Sequence, residues 1–209
     1  MKRLMFVWGI VAILLVLTAC DYDEKSLKGI EHDLPSEVTM DFELVEGEYA
    51  PIRYESSHPD VLKPMDDYTA KVFQQDEDVI VTLTARVNKT AKKIQIKVLK
   101  KGSDPTPREK VQLAKDQFQY PESVSENFTL PSTIDDVIIQ YEIRRAHRYI
   151  KPNLVDGEYY INPSSYSTNA NNEMEIKVYF NYYQDNRLLA SKSELIFIEV
   201  IETTEETTG

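Results

Sequence analysis

The chain has 209 residues, and its 35 acidic residues outnumber its 24 basic ones, which gives a net charge of −11. A surface this acidic repels nucleic-acid phosphates and anionic lipid head groups, so the composition argues against nucleic acid as a partner. The sequence contains one cysteine, so it predicts no internal disulfide, and its stability must come from the burial of apolar side chains.

The first twenty residues have the layout of a secretory leader. Lys2 and Arg3 precede an apolar run from Met5 to Leu17, which is shorter than the ~20 residues needed to span a bilayer. The run ends in the letters LTAC, which resemble the bacterial lipobox. This resemblance implies that residues 1–19 are a cleaved signal peptide and that the thiol of Cys20 receives a lipid such as a diacylglyceryl group.

A lipid on Cys20 predicts attachment to the cell membrane on the side facing away from the cytoplasm, because two or more acyl chains anchor a protein stably. Loss of the leader leaves 22 basic and 35 acidic residues, a net charge of −13, so we expect the lipid rather than electrostatic attraction to hold the chain. The polar residues 20–30 predict a flexible tether behind the lipidated cysteine. The stretch 202–209 is acidic, has nothing to bury, and predicts a polar tail.

The middle of the chain contains the clearest break in composition. Gly102, Pro105 and Pro107 lie among charged residues in the segment 100–111, which predicts a linker. The flanking domains are then 31–99 and 112–201.

Both predicted domains show the two-residue alternation of β-strands. In the first domain, DVIVTLTARV and KIQIKVL place apolar residues at every second position. In the second domain, EMEIKVYF and ELIFIEVI do the same. No amphipathic helix is evident after the leader, so the sequence predicts an all-β protein.

The two halves also resemble a degenerate repeat. Leu34-Pro35-Ser36 recurs as Leu130-Pro131-Ser132, and Tyr54-Glu55 recurs as Tyr141-Glu142. The strand pair VIVTLTA and IQIKV in the first half is answered by MEIKVYF and FIEV in the second.

The order of motifs in the first half resembles a known family. LPSEV, IRYESSHPDVL, AKVFQ, DVIVTLTARV and KKIQIKV succeed one another over residues 31–99. This succession resembles the bacterial immunoglobulin-like domains, in particular the atypical ones attached to secreted glycoside hydrolases and surface proteins of low-GC bacteria. The second half keeps LPSTI, IIQYEI, DGEYYIN, MEIKVYF and LIFIEV but lacks the Ser-Ser-x-Pro-x-Val motif. The resemblance implies two tandem immunoglobulin-like β-sandwiches, of which the second, 112–201, is divergent.

The stretch YESSHPDVL contains the side-chain types of a hydrolase triad in Ser57, His58 and Asp60. We interpret it as a strand end and a turn, because neighbours along a strand alternate faces and a triad needs side chains that converge. The histidines and acidic clusters lack the spacing of metal ligands. We therefore expect no catalytic residue, no metal and no cofactor.

The tyrosines of the second half are one candidate binding surface. In KVYFNYY, Tyr179 and Tyr183 are expected on the outer face, with Tyr159 and Tyr160 as neighbours across a hairpin. Exposed aromatic side chains are common at protein and sugar binding surfaces. The alternative is that these tyrosines simply cover the sheet or the domain junction.

A basic patch is the second candidate. Arg144, Arg145, His147 and Arg148 follow one another closely in an acidic chain. Such a patch suits an acidic partner or the neighbouring domain.

These features together predict a non-catalytic surface lipoprotein for display, spacing or adhesion-type binding at the cell envelope, with an envelope protein or a glycan as partner. One alternative is an accessory glycan-binding lipoprotein that works with a transporter or a secreted glycoside hydrolase. A third hypothesis, an envelope hydrolase, requires a pocket in which a nucleophile and a base converge.

Overall fold

The structure is a computed structural model that describes residues 23–201. The predicted signal peptide, the predicted lipidation site Cys20 and the predicted tail 202–209 lie outside the described residues. The chain divides into two compact units, of which unit 1 ends at Thr106 and unit 2 begins at Pro107. In the part of the chain that is described, no helix is long and apolar enough to cross a membrane.

Unit 1 has a helical turn at 23–27, followed by one short helix and seven strands among its described residues. These elements are α1 (Ile30–Asp33), β1 (Glu37–Val38), β2 (Phe42–Glu43), β3 (Arg53–Ser56), β4 (Leu62–Pro64), β5 (Thr69–Val72), β6 (Val79–Val87) and β7 (Thr90–Val98). They form two sheets, with the strand orders β1-β7-β6-β3 and β2-β5-β4. The first strand pairs in parallel with the last, and the other pairs are antiparallel.

Unit 2 begins with a helix and continues with strands. Its elements are α2 (Pro107–Gln117), β8 (Ser123–Val124), β9 (Phe128–Pro131), β10 (Thr133–Ile134), β11 (Val137–Arg145), β12 (Arg148–Ile150), β13 (Asn153–Val155), β14 (Glu158–Ile161), a 3-10 turn (Pro163–Ser165), β15 (Glu173–Gln184) and β16 (Arg187–Val200). One sheet has the order β8-β16-β15-β11, to which β10 and β12 are added at β11, and the other has the order β9-β14-β13. Again the first strand pairs in parallel with the last.

The two units share one topology, and it is that of an immunoglobulin-like sandwich. A constant-type immunoglobulin domain places its strands in the orders ABED and CFG. Both units keep the orders BED and CFG, and in both the first strand has moved to the CFG sheet, beside the last strand. The prediction of an all-β protein with two tandem immunoglobulin-like β-sandwiches is confirmed.

One tyrosine holds the two sheets together in the same way in each unit. The hydroxyl of Tyr54 on β3 donates a hydrogen bond to the carbonyl of Val45 after β2 (2.8 Å). The hydroxyl of Tyr141 on β11 donates one to the carbonyl of Pro131 on β9 (2.8 Å). The predicted correspondence of these two tyrosines is therefore confirmed by their contacts.

The repeat begins elsewhere than the sequence predicted. Backbone amides of β7 and β16 donate in the same manner to the carbonyls of Ser36 (2.9 Å) and Glu122 (3.0 Å). Together with the two tyrosine contacts, this aligns Leu34–Val45, LPSEVTMDFELV, with Tyr120–Pro131, YPESVSENFTLP. The predicted match of the first LPS with the LPS at 130–132 is wrong, because the latter lies at the end of β9, which corresponds to β2, whereas the first LPS precedes β1.

Each unit has its own apolar core, made by the inward residues of the alternating strands. In unit 1, Val81, Leu83 and Ile96 are fully buried between the sheets. In unit 2, Tyr141 and Phe180 are the largest fully buried side chains. The two-residue period read from the sequence therefore identified the core correctly.

The prediction of a flexible tether over 20–30 is wrong for residues 23–30. Residues 23–27 are helical, and Leu27 and Ile30 are 4% and 1% exposed in the core of unit 1. Asn88 donates a hydrogen bond to the carboxylate of Asp23 (2.9 Å), which ties the turn to the β6–β7 hairpin. Two apolar residues among many polar ones are too few to show a helical period in the sequence.

The linker predicted over 100–111 and the expected absence of an amphipathic helix are also wrong. Helix α2 starts at Pro107, and its residues Val111 and Ala114 are buried against the sheet of unit 2. Proline lacks an N–H and has a helical φ, so it fits the first turn of a helix as well as it fits a loop. Pro107 is a helix start here and not a helix breaker.

Candidate binding surface

The outer surface of the six-stranded sheet of unit 2 lies opposite the core, and we call it face 2. Side chains alternate along a strand, so this face takes the residues between the buried ones. Face 2 consists of Ile138, Gln140, Glu142 and Arg144 on β11, Glu173, Glu175, Lys177, Tyr179 and Asn181 on β15, and Ser191, Ser193, Leu195, Phe197 and Glu199 on β16. The matching surface of unit 1, made by β3, β6 and β7, is called face 1.

Hydrogen bonds fix the charged side chains at one end of face 2. Glu175 accepts hydrogen bonds from the hydroxyl of Tyr149 on β12 and from the guanidinium of Arg144 (2.7 Å), and these bonds, the tyrosine's foremost, lower the pKa of the carboxyl. The hydroxyl of Tyr179 donates to Glu142 (2.8 Å), and this bond raises the pKa of Tyr179. The charges of this region therefore satisfy one another.

Lys177 completes this arrangement. Its ammonium group lies 3.8 Å from the centre of the Tyr149 ring, within the distance of a cation–π contact. The ring of Tyr149 is thus covered on one side, so it does not offer a free aromatic platform.

Two exposed apolar side chains on β16 distinguish face 2 from face 1. Leu195 and Phe197 are 45% and 44% exposed. The register that aligns Tyr54 with Tyr141 places Lys93 and Gln95 of β7 at these two positions. The same strand positions therefore carry polar side chains in unit 1 and apolar ones in unit 2.

The hairpin between β15 and β16 is a second feature without a counterpart in unit 1. The same register aligns Phe180 with Val87, after which the chain of unit 1 turns back at once. In unit 2 the strands continue to Gln184 and return from Arg187, and we call residues 181–191 the arm. The base of the arm is supported by helix α2, since Lys110 contacts the Tyr182 hydroxyl (3.1 Å) and ring.

The tip of the arm presents apolar side chains below a polar turn. Tyr183 and Leu188 are cross-strand partners with exposed fractions of 38% and 48%, and Leu189 beside them is also exposed. The pair lies on the same side as the rest of face 2.

The structure separates the four tyrosines that the sequence grouped. Tyr179 and Tyr183 belong to the face 2 side, as expected. Tyr159 and Tyr160 lie on β14, which pairs with β9 and β13 of the other sheet, so their predicted neighbourhood with Tyr179 is wrong. Tyr159 packs edge-on against Tyr141 in the core, with ring centres 5.0 Å apart.

The predicted basic patch is also divided. Arg144 lies on face 2 and is paired with Glu175. Arg145 and Arg148 are cross-strand partners at the end of the β11–β12 hairpin, on the opposite side of the sheet. Alternation along β11 separates the neighbouring arginines, which the sequence reading of a single patch overlooked.

Ser57 and His58 do not lie on opposite faces, as strand alternation would place them, but they do not line up with Asp60 as a triad either. The Ser57 hydroxyl lies 2.8 Å from Nδ1 of His58, because β3 ends at Ser56 and its alternation ends there. Ser57 Oγ also accepts a hydrogen bond from the Thr82 amide (2.9 Å), and the His58 amide donates to Ser56 Oγ (3.1 Å). In the described chain no carboxylate, that of Asp60 included, hydrogen-bonds the imidazole. These contacts are those of a turn that extends the pairing to β6.

Among residues 23–201, no three His, Cys, Asp or Glu side chains converge as metal ligands would. Two acidic residues from the predicted loop clusters have cationic neighbours instead. Asp78 is 2.9 Å from Lys97, which lowers the pKa of its carboxyl, and Asp76 is 3.5 Å from Lys101.

Comparison with known proteins gives likenesses of fold only. No protein-family model and no curated protein matches this chain. Among solved structures, it is similar to mouse protocadherin-24 EC1-3, with 14% identity, 80% of this chain and 67% of that chain covered, and a TM-score of 0.28. It is also similar to human protocadherin-24 EC1-2 (14%, 82% and 92% covered, TM-score 0.25) and to extracellular domains 3-5 of Drosophila OTK (13%, 80% and 58% covered, TM-score 0.25).

These TM-scores are too low to carry an argument, and the immunoglobulin-like assignment follows from the strand orders themselves. The class of this protein is thereby defined as an all-β chain of two immunoglobulin-like sandwiches.

Sequence reasoning did not single out Leu195, Phe197 or the tip residue Leu188. The signal was present in the alternation of β16, where apolar residues occupy outward positions as well as inward ones. It becomes visible only when the two units are aligned strand by strand.

Proposed function

We propose that this protein is a non-catalytic binding protein of the cell surface, anchored by a lipid on Cys20, in which face 2 contacts a protein partner and unit 1 acts mainly as a spacer. The observation that carries this proposal is a difference in side-chain polarity between matched strand positions of the two units. Leu195 and Phe197 are exposed in unit 2 where unit 1 has Lys93 and Gln95. Selection for solubility alone favours the polar choice at exposed strand positions, so the apolar choice calls for a partner.

The composition of face 2 favours a protein as that partner. Protein interfaces have an apolar centre rich in aromatic side chains and a polar rim in which arginine is common. Face 2 has Leu195 and Phe197 beside the hydrogen-bonded group around Arg144 and Glu175. The polar side chains are already held by one another, so little side-chain entropy is lost when a partner binds.

Exchange of residues between the two units tests this proposal. In the double variant Leu195→Lys/Phe197→Gln, unit 2 receives the side chains of unit 1 at the matched positions. The full chain, tagged and expressed in its native cells, is expected to lose a specific co-purifying protein at least tenfold, because central interface residues contribute about 2 kcal/mol or more each. The matched control is Ile80→Thr, which removes a 61% exposed apolar side chain from face 1. Equal recovery with the double variant and wild type contradicts the proposal.

Membrane attachment is tested separately. Metabolic labelling with a fatty-acid analogue is expected to label the wild type and not Cys20→Ser, because the thiol is the acceptor of the lipid. Labelling that persists in Cys20→Ser refutes the anchor but leaves face 2 untouched.

A glycan is the alternative partner, and the aromatic rings of Tyr183 and Phe197 on this side favour it. Aliphatic neighbours such as Leu188 and Leu195 suit a protein better than a sugar. Polysaccharide pull-down with wild type, Tyr179→Ala and Tyr183→Ala distinguishes the two. Retention that falls in these variants establishes the glycan and refutes the protein partner.

A further inference from the structure

The hairpin between β11 and β12 presents two arginines whose side chains have no hydrogen-bond or ion-pair partner among residues 23–201. Arg145 and Arg148 are directly opposite each other across the hairpin, and both are exposed. The turn that joins them is Ala146-His147, with Ala146 at φ 54. Cross-strand side chains are about 5 Å apart at Cβ, and like charges at that distance destabilise the pair.

No hydrogen bond or ion pair within residues 23–201 offsets this repulsion. Neither the Arg145 nor the Arg148 side chain forms a hydrogen bond or an ion pair there, whereas the neighbouring Arg144 is paired with Glu175. The tip of the hairpin is thus locally cationic in a chain whose net charge is strongly negative.

An uncharged polar loop lies against this tip. The loop between β14 and β15, residues 162–172, reads NPSSYSTNANN and contains no acidic or basic residue. Its Ser167 amide donates to the Arg144 carbonyl (3.1 Å), and the Ala146 amide donates to Ser167 Oγ (2.7 Å). The loop and the hairpin therefore form one end of unit 2, which we call the cationic end.

The loop is held in shape by its own asparagines. Asn162 Oδ1 accepts hydrogen bonds from the amide (3.1 Å) and the hydroxyl (2.7 Å) of Ser164. Asn169 Oδ1 accepts from the amides of Asn171 (2.8 Å) and Glu173 (3.0 Å). These bonds hold the loop in one shape, which lowers the entropy that its polar groups lose on binding.

Tyr166 connects the two parts of the cationic end. It packs against the core of unit 2, and burial raises the pKa of its hydroxyl. The positive charge of Arg145 acts against that rise.

We infer that the cationic end binds the oxyanion groups, carboxylate or phosphate, of an acidic polymer. Two guanidinium groups side by side can grip such a group through paired N–H donors, and hydroxyl and amide donors of the loop can add to this grip. A bound oxyanion would also neutralise the repulsion between Arg145 and Arg148. This site is independent of face 2 and of the function proposed for it.

A flexible polymer fits this end better than an acidic protein does. Residues 144–150 and 162–172 include no large apolar side chain that is exposed. Protein interfaces need an apolar centre, whereas a polyanion in water is bound by charge and hydrogen bonds alone.

Unit 1 lacks such an end and so provides an internal comparison. Its strand β3 stops at Ser56, and the turn that follows, Ser57-His58-Pro59-Asp60, contains no arginine or lysine. Unit 1 does contain another cross-strand arginine pair, Arg53 and Arg86. That pair lies on face 1 with Glu55 two positions along the same strand, so it is a control of equal charge in a different setting.

The experiment is a titration of the full lipidated chain in detergent with three polymers. Isothermal titration calorimetry at physiological ionic strength measures the binding. Polygalacturonate supplies carboxylates, polyphosphate supplies phosphates, and dextran is uncharged. We expect one or both acidic polymers to bind and dextran not to bind. Arg145→Gln and Arg148→Gln are each expected to weaken binding about tenfold, the effect of one lost charge-assisted hydrogen bond.

Two further variants separate specific binding from general electrostatics. Arg53→Gln/Arg86→Gln is expected to leave binding unchanged, and Arg145→Lys/Arg148→Lys is expected to weaken it because lysine keeps the charge and loses the planar fork. Circular-dichroism melting curves check that each variant is folded. Binding of polygalacturonate alone or polyphosphate alone supports the inference and identifies the oxyanion. Absence of binding to both acidic polymers, or equal losses in the Arg53/Arg86 variant, overturns it.

Discussion

Removal of a single hydroxyl, in Tyr141→Phe, tests whether the tyrosine contact between the sheets stabilises unit 2. Tyr141 is fully buried, and its hydroxyl donates to the carbonyl of Pro131 at 2.8 Å. Phenylalanine fills the same space but leaves that carbonyl without this donor. The loss of this hydrogen bond, with a half-buried carbonyl left short of a donor, costs about 1–2 kcal/mol.

The matched variant in unit 1 is Tyr54→Phe. Tyr54 makes the same contact to Val45 at 2.8 Å, but it is only half-buried. Water can replace the lost donor there, so we expect a loss of about 1 kcal/mol or less. The ordering of the two variants is therefore part of the prediction.

Urea denaturation of the full chain measures the change, and hydrogen exchange assigns it to one unit or the other. For domains of this size, 1 kcal/mol corresponds to a shift in Tm of about 4–8 °C. Tyr141→Phe is expected to lower the stability of unit 2 alone, and Tyr54→Phe that of unit 1 alone. Unchanged stability in Tyr141→Phe, or a larger loss in Tyr54→Phe, would show that the buried tyrosine contact does not stabilise unit 2 as described.

Two further predictions concern pH and the helix of unit 2. Burial raises the pKa of Tyr54 and of Tyr141 above the unfolded value of about 10, so both favour the folded state below pH 10 and lose this contribution as the pH rises further. We therefore expect the free energy of unfolding of the wild type, relative to its value at pH 7, to fall more steeply above pH 10 than that of Tyr54→Phe/Tyr141→Phe. Identical curves of relative stability against pH for the two proteins would contradict this. Val111→Ala removes two methyl groups from a side chain that is 2% exposed, so we expect a loss of about 2 kcal/mol in unit 2, with Gln117→Ala on the same helix as the neutral control. An equal effect of these two changes on the urea midpoint would mean that α2 is not part of the unit.

The strands with strict alternation could be predicted from the sequence. β6, β7 and β15 were recognised because their inward positions are apolar and their outward positions are largely polar. The period of two is a direct consequence of strand geometry, so it survives without any knowledge of the neighbours.

The helices could not be predicted in this way. Leu27 and Ile30 are buried by contacts with the rest of unit 1. Such contacts leave no pattern in the neighbouring sequence from which a helix could be predicted. The composition around Pro107, which is rich in charged residues, favours a loop. The helix is stabilised by the packing of Val111 and Ala114 against the sheet, which the sequence does not show.

The candidate surfaces depended on which strands are neighbours, and sequence order is a poor guide to that. Tyr160 and Tyr179 are close in the chain but lie on different sheets. Leu195 and Phe197 can be recognised as candidate binding residues only when Lys93 and Gln95 are known to occupy the same positions in unit 1. The Ser57–His58 contact likewise depends on where β3 stops, which is a single-residue boundary.

Site-specific photo-crosslinking in the native cell tests whether face 2 is the surface that binds a protein partner. A photoreactive amino acid is placed at position 197 of the full chain in one strain and at the matched position 95 in another. We expect one discrete cross-linked protein from position 197 and none from position 95. The same products from both positions, or no protein product from position 197, would contradict the claim that face 2 is the binding surface.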